Sequence, residues 1–268
     1  ALSRLQMETD LRRAMERHEF RIVYQPIVSL ITDKITGFEA LIRWQHPSRG
    51  IVSPVEFIQL AEETGLIAQL DRWMLHQACQ QLALWKSQFP QCLPLKMSVN
   101  FSGVQLTTAD LLSYVDRVLQ ETGLTGQDLK LEITESAMML KAQSPPTLLN
   151  QLRDRGIELS IDDFGTGYSS LARLHRLPIN TLKIDRSFIP TTAGQNTTQD
   201  HENWEMVRTI ITLAHNLGLD VIAEGVETIE QIHQLRSLHC EYAQGFFFSC
   251  PIDAAAMTIL LSNSKSAV

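Results

Sequence analysis

ELSIDDFGTGYSSL, residues 158–171, sets two adjacent aspartates, Asp162 and Asp163, at the end of an apolar run and follows them with a loop holding two glycines. Like charges about 4 Å apart repel by roughly 4 kcal/mol at an effective dielectric near 20. A buried strand that ends on such a pair therefore calls for a compensating partner. In parallel α/β folds the carboxyl ends of the strands converge on one face, where the chemistry sits. The question is whether other strands bring matching groups to the same place.

Working outward, the runs LKMSVN, DLKLEIT, INTLKID, LDVIAEG and EYAQGFFF each read as a short strand, and most are separated by an amphipathic helical stretch. That alternation predicts a parallel sheet covered by helices. FRIVYQPIV (20–28) and GFEALIRW (37–44) bring the strand count to eight, which predicts an α/β fold of the (β/α)8 barrel type. A doubly wound open sheet competes, though no GxGxxG or Walker loop follows the early strands. The first segment reads as an amphipathic helix with Leu5, Leu11 and Met15 on one side. Ser53 and Pro54 mark a helix start, and residues 69–86 form another helical stretch. The polar segment 191–203 reads as a mobile loop, and its Asn196 sequon as a chance match.

The chain has 268 residues, 44% hydrophobic, and a formal charge of −7, which argues against binding duplex nucleic acid, an affinity built on neutralising phosphates. Cys79, Cys92, Cys240 and Cys250 show no metal-site or disulfide spacing and read as reduced cytosolic thiols. With no signal peptide and no apolar run approaching a membrane span, this segment is expected to be soluble and to make no membrane contact. Because a helical pattern starts directly at Ala1, the chain is expected to be a piece of something longer that has room for a membrane anchor. Residues 1–268 are read as one barrel domain, with 1–19 as an N-terminal helix at the junction to upstream domains.

At the strand ends the polar residues accumulate: Glu39 within the second strand, Asn100, Glu132, Asp162 with Asp163, Lys183, Glu224 and Gln244. Carboxylates facing one cavity with a single lysine among them repel one another unless protonated or neutralised. An all-oxygen donor set without Cys or His matches hard divalent ions such as Mg²⁺ or Mn²⁺. The adjacent aspartates suit a pair of ions, one carboxylate bridging both and its neighbour binding the second; such pairs clamp the oxygens of a phosphoryl centre. Phosphoester hydrolysis is the chemistry these residue types favour, with Lys183 placed to orient a water or stabilise developing charge. The glycine loop suits a lid or positioning element. DFG lacks the accompanying kinase motifs, and His46, which follows the second strand, reads as structural. A glycosidase, needing two acids and no metal, has little use for Asn100, Lys183 and so many carboxylates.

YQP at 24–26, EALIRW at 39–44, VN at 99–100, LEITES at 131–136, DDFGTGYSSL at 162–171, LKID at 182–185, AEGVET at 223–228 and QGFFFSCP at 244–251, in that order, closely resemble the EAL-domain cyclic di-GMP phosphodiesterases. The resemblance implies a bacterial second-messenger enzyme that opens cyclic di-GMP to linear pGpG with Mg²⁺ or Mn²⁺, two ions per site, and is inhibited by Ca²⁺. It also implies a modified TIM barrel in which one strand, 20–28, runs antiparallel. By carry-over Glu39, Asn100, Glu132 and Asp162 would hold one metal, and Asp162, Asp163 and Glu224 the second. Lys183 would contact the attacking water, with Gln244 assisting, and Gln25, Leu41 and Arg43 would contact substrate. Glu135 would anchor the glycine loop; a carboxylate at a helix N-terminus is its plainer reading. Asp185, grouped with the substrate contacts, and Glu227 match family positions, each divided between supporting a ligand and capping. Cys250 departs from a position that is often basic or polar in the family. The resemblance also implies upstream sensory or GGDEF-type domains, a cytoplasmic location and dimerisation through the outer helices. A receptor that binds the dinucleotide without cutting it is the alternative.

Overall fold

The computed structural model describes residues 2–92, 94–141, 147–165, 174–190 and 198–263. Helix α1 (Leu2–Ala14) is followed by β1 (Phe20–Ser29), β2 (Ile35–His46) and β3 (Gly50–Val52), then by α2 (Pro54–Thr64) and α3 (Ile67–Gln88). The repeating part comprises β4 (Lys96–Asn100), α4 (Leu111–Thr122), β5 (Leu129–Thr134), α5 (Glu135–Lys141), α6 (Thr147–Asp154), β6 (Glu158–Phe164), β7 (Thr181–Ile184), α7 (Thr198–Asn216), β8 (Asp220–Ala223), α8 (Ile229–Ser237), β9 (Tyr242–Ala243) and α9 (Ala254–Asn263).

The strands are ordered β1-β9-β8-β7-β6-β5-β4-β2-β3, and an additional β1–β2 pairing closes the ring. From β2 through β4 to β9 the ring pairings are parallel, whereas β1 is antiparallel to both of its neighbours, β2 and β9. The result is a closed barrel of eight strands, of the mixed α/β type expected, with β3 appended to β2.

Register assigns the two faces. Residues opposite one another across a ladder share a face, and so do positions two apart along a strand. Starting from Gln25 opposite Glu39 and Glu39 opposite Ser98, the pairings lead to Asn100 opposite Glu132, Glu132 opposite Ser160, Ser160 opposite Thr181 and Lys183 opposite Ile222. Gln25, Glu39, Asn100, Glu132, Asp162 and Lys183 therefore lie on one face, the inside of the barrel. The alternate positions, among them Phe38, Met97, Val99, Leu131, Ile133, Leu159, Leu182, Ile184 and Val221, are apolar and buried. They face outward and pack with the helices in one core. A TIM barrel usually fills its interior with Val, Ile and Leu; here that apolar layer lies outside the ring.

Several expectations are corrected. The short strand β3 pairs with Trp44, Gln45 and His46 and so extends β2 through His46, which lies in the strand and not in a loop after it. Helix α1 buries Met7, Leu11 and Ala14, while Leu5 is 65% exposed, so its buried stripe is rotated from the Leu5/Leu11/Met15 reading. Of the segment read as a loop, residues 198–203 form the first turns of α7, and the remainder, with Asn196, lies outside the described residues. In EYAQGFFF only Tyr242 and Ala243 are strand, because backbone bonds from Phe248 and Ser249 to the Gly245 carbonyl turn the chain directly afterwards.

Candidate active site

Lys183 is fully buried on β7, and three strands and the residue that follows β8 bring carboxylates to its ammonium. Its Nζ lies 2.6 Å from Glu132 Oε2, 2.6 Å from Glu224 Oε1, 3.1 Å from Asp162 Oδ1 and 3.3 Å from Glu39 Oε2. Burial alone would lower the pKa of such a lysine, but Asp162, Glu132, Glu224 and Glu39 outweigh it and hold the pKa well above the usual value. One ammonium cannot serve them all equally. Burial pushes Glu132 up to about 8, with Lys183 only partly offsetting it and Glu39 and Asp162 adding repulsion. Burial likewise pushes Glu224 up to about 8. Glu39 is buried too, but Lys183 and the amides of Gln244 and Asn100 overcome that penalty and lower its pKa.

The amides form a frame around Glu39. Asn100 Nδ2 donates to Glu39 Oε1 at 2.8 Å, and Gln244 Nε2 donates to Glu39 Oε2 at 2.7 Å and to Gln25 Oε1 at 2.9 Å. Gln25 in turn donates to the carbonyl of Ser249 at 3.0 Å. Gln244 is held in place by Gly245 behind it: a Cβ at 245 would stand 2.1 Å from the Val226 carbonyl oxygen, so only glycine fits the crossing of the two strand exits.

The adjacent aspartates pose a geometric problem that the sequence reading did not raise. Consecutive strand residues point to opposite faces, so Asp162 and Asp163 could not both face the mouth from a regular strand. The β6–β7 register breaks between Ile161 and Phe164, and Asp163 adopts φ 55°, the left-handed region rarely used by a non-glycine residue. A bulge of this kind re-aims a side chain, and the strain of such a residue is of order 1–3 kcal/mol. Acid oxygens of Asp162, Asp163 and Glu224 consequently lie within 4.8 Å of one another. Burial, then Asp162 and Asp185, push the Asp163 carboxyl up to about 6.

This donor set fits a hard cation. It is all oxygen, it is over-supplied with negative charge, and two acceptors on its own side chains or those beside it, Glu132 Oε1 and Gln244 Oε1, are buried without a hydrogen-bond partner. The remaining expected residues stand around this core. Leu41 and Arg43 continue the inward face of β2 beyond Glu39 toward the rim, both half-buried. Asp185 follows β7 and accepts from the Ser187 amide at 2.9 Å. The Oε2 of Glu135 accepts from the Gly165 amide at 3.0 Å, at the start of the glycine loop. The rest of that loop, 166–173, expected as a lid, lies outside the described residues. Glu227 and Cys250 are exposed. His46 is buried, with Nε2 3.4 Å from Asp10 Oδ2, tying α1 to β2.

Sequence reasoning missed the polar residues deeper in the barrel, Lys96, Ser98, Lys130, Glu158, Ser160 and Thr181. Their signal was present as polar residues two apart in KMSVN, LKLEIT, ELSID and TLKI. A separate groove of about 630 Å³ on the outside of the barrel, lined by Phe20, Tyr24, Trp73, Gln77, Gln81 and Leu84 among others, has no acidic residue in its lining.

The EAL domain family model matches residues 8–251. Cyclic di-GMP phosphodiesterase NbdA of Pseudomonas aeruginosa strain PAO1 is 43% identical over 96% of this chain and 32% of its own length. The bifunctional diguanylate cyclase/cyclic di-GMP phosphodiesterase MucR of the same strain is 41% identical over 95% of this chain and 36% of its own length. The chain thus spans about a third of these curated relatives. A solved structure described as the PaMucR phosphodiesterase in complex with c-di-GMP superposes with a TM-score of 0.86 at 40% identity, covering 94% of this chain and 99% of that one.

Proposed function

Because the chain belongs to the EAL domain family, we propose that it is a metal-dependent phosphodiesterase that hydrolyses cyclic di-GMP to linear pGpG. The observation that carries this reading is the convergence of Asp162, Asp163 and Glu224 within 4.8 Å, beside Glu39, Asn100 and Glu132, on a barrel mouth whose only interior ammonium at that level among the described residues is Lys183.

Glu39, Asn100, Glu132 and Asp162 would hold one Mg²⁺ or Mn²⁺, and Asp162, Asp163 and Glu224 a second. Bound there, such ions supply Lewis acidity toward the phosphoryl oxygens and lower the pKa of a water. Lys183 provides a permanent positive charge beside the same oxygens and can hold the attacking water while charge develops. Gln244 and Asn100 fix the Glu39 carboxylate by donating to one oxygen each. Gln25, Leu41 and Arg43 lie in line from that floor to the rim and would contact the dinucleotide, Arg43 meeting a phosphate. Asp185 acts on Asp163 through its charge, and Glu135 would hold the glycine loop through the Gly165 amide.

A turnover assay with pure protein tests this: cyclic di-GMP with Mg²⁺ or Mn²⁺ is expected to yield pGpG, Ca²⁺ to suppress it and Glu39→Ala to abolish it. Tight binding without product under every metal would select a receptor instead, and the absence of both would remove cyclic di-GMP as the ligand.

A further inference from the structure

Below the carboxylates, at the amino-terminal ends of the strands, the barrel interior carries a second charged layer. Lys130, 8% exposed, donates from Nζ to Thr181 Oγ1 at 3.0 Å and lies 3.4 Å from Glu158 Oε2. Lys96 pairs with the other oxygen of Glu158. Lys130 is two residues before Glu132 on β5, and Thr181 two before Lys183 on β7, so one bonded pair stands under the other on the same face. An inward lysine in a barrel interior that is ordinarily aliphatic, fixed on two strands by named partners, is a built feature with no part in the chemistry assigned above.

We propose that Lys130 is a positioning residue that acts through Glu132: carried two residues before it, about 7 Å away along the backbone of the same strand, its positive charge opposes a bound cation at the Glu132 carboxylate and so sets how tightly the mouth takes a divalent ion. The inference rests on the reading that the acidic mouth holds such an ion. Lys130 reduces the net negative charge of the site, and Glu158 in turn reduces the effect of Lys130.

Calorimetric titration with MnCl₂ alone, at pH 8 and without nucleotide, tests it on the wild type, Lys130→Met, Lys130→Arg and Glu158→Gln, with melting temperatures in chelator to confirm folding. Lys130→Met is expected to bind Mn²⁺ about five- to tenfold more tightly, Lys130→Arg within about twofold of the wild type, and Glu158→Gln about two- to threefold more weakly. A packing role alone would weaken Lys130→Met. Unchanged or weaker binding by Lys130→Met, or an equal shift in Lys130→Arg, overturns the inference. If Lys130→Met does not fold, Glu158→Gln decides: weaker binding supports the inference, and unchanged or tighter binding overturns it. A wild type that takes up no Mn²⁺ overturns the cation reading and this inference together, whereas a wild type that binds with flat variants overturns only the inference.

Discussion

At the scale of single residues, Lys183 holds the acidic mouth together in the absence of metal. Removing one member of a buried ion pair costs about 3–5 kcal/mol because its partners stay buried without compensation. Lys183→Met is therefore expected to melt well below the wild type in EDTA and to recover part of the loss in MnCl₂. Its turnover of cyclic di-GMP should fall about 10²–10³-fold, the usual effect of losing a group that stabilises developing charge. Equal melting curves in EDTA would show that the carboxylates do not depend on it. Asn100, Glu132, Lys183 and Gln244 were legible in the sequence because each sits near a strand end, where a parallel fold gathers polar groups, whereas Glu39 lies in the middle of β2 and stood out as a carboxylate inside an otherwise apolar run. The backbone device that turns Asp163 toward the same mouth was not, since a bulge depends on the register of two strands, and register is invisible in either strand alone.

At the scale of elements, the exits of the strands are secured from outside. Asp71 on α3 accepts from the amide of Ser102 at 3.1 Å and from its hydroxyl at 2.6 Å, two residues beyond Asn100. Burial pushes the Asp71 carboxyl from 3.8 up to about 7, partly offset by the Ser102 bonds and reinforced by Glu62. The folded state thus binds this proton more tightly than the unfolded chain, and folding stability falls as pH rises from about 4 to about 7, with a slope of at most about 1.4 kcal/mol per unit. Asp71→Asn should flatten that slope, so urea midpoints of variant and wild type should diverge between pH 5 and pH 7.5; parallel profiles would refute it. Gly245→Ala drives a Cβ into the Val226 carbonyl and is expected to destabilise by about 2–3 kcal/mol, lowering turnover as Gln244 shifts, which chemical denaturation and the pGpG assay would register together. Strand and helix identities were readable from periodicity for most of the chain. Failures came where tertiary pairing decided: β3 exists because β2 offers an edge, and β9 stops after two residues because Gly245 begins a turn.

At the scale of the whole molecule, filling the mouth relieves repulsion among groups that the fold has forced together in a chain of charge −7. A ligand at about a hundredfold its dissociation constant stabilises by about 2.7 kcal/mol, which at this size is roughly 5–10 °C in melting temperature. Scanning calorimetry in MnCl₂ and then in EDTA should show that rise and its reversal, and identical traces would count against a bound ion. The barrel class followed from the alternation of segments. The orientation of β1 came only from the motif resemblance, since no hydrophobic pattern encodes strand direction. That orientation has a mechanical result. In an all-parallel barrel the polypeptide threads in from the floor, far from the chemistry. Because β1 descends, α1 lies beside the rim, and the ladder from Phe20 opposite Trp44 to Gln25 opposite Glu39 runs without a crossover. The amino-terminal helix, tied to β2 through Asp10 and His46, is thus joined to the carboxylate that Asn100 and Gln244 hold by one uninterrupted hairpin, the shortest covalent route from the rim to the chemistry.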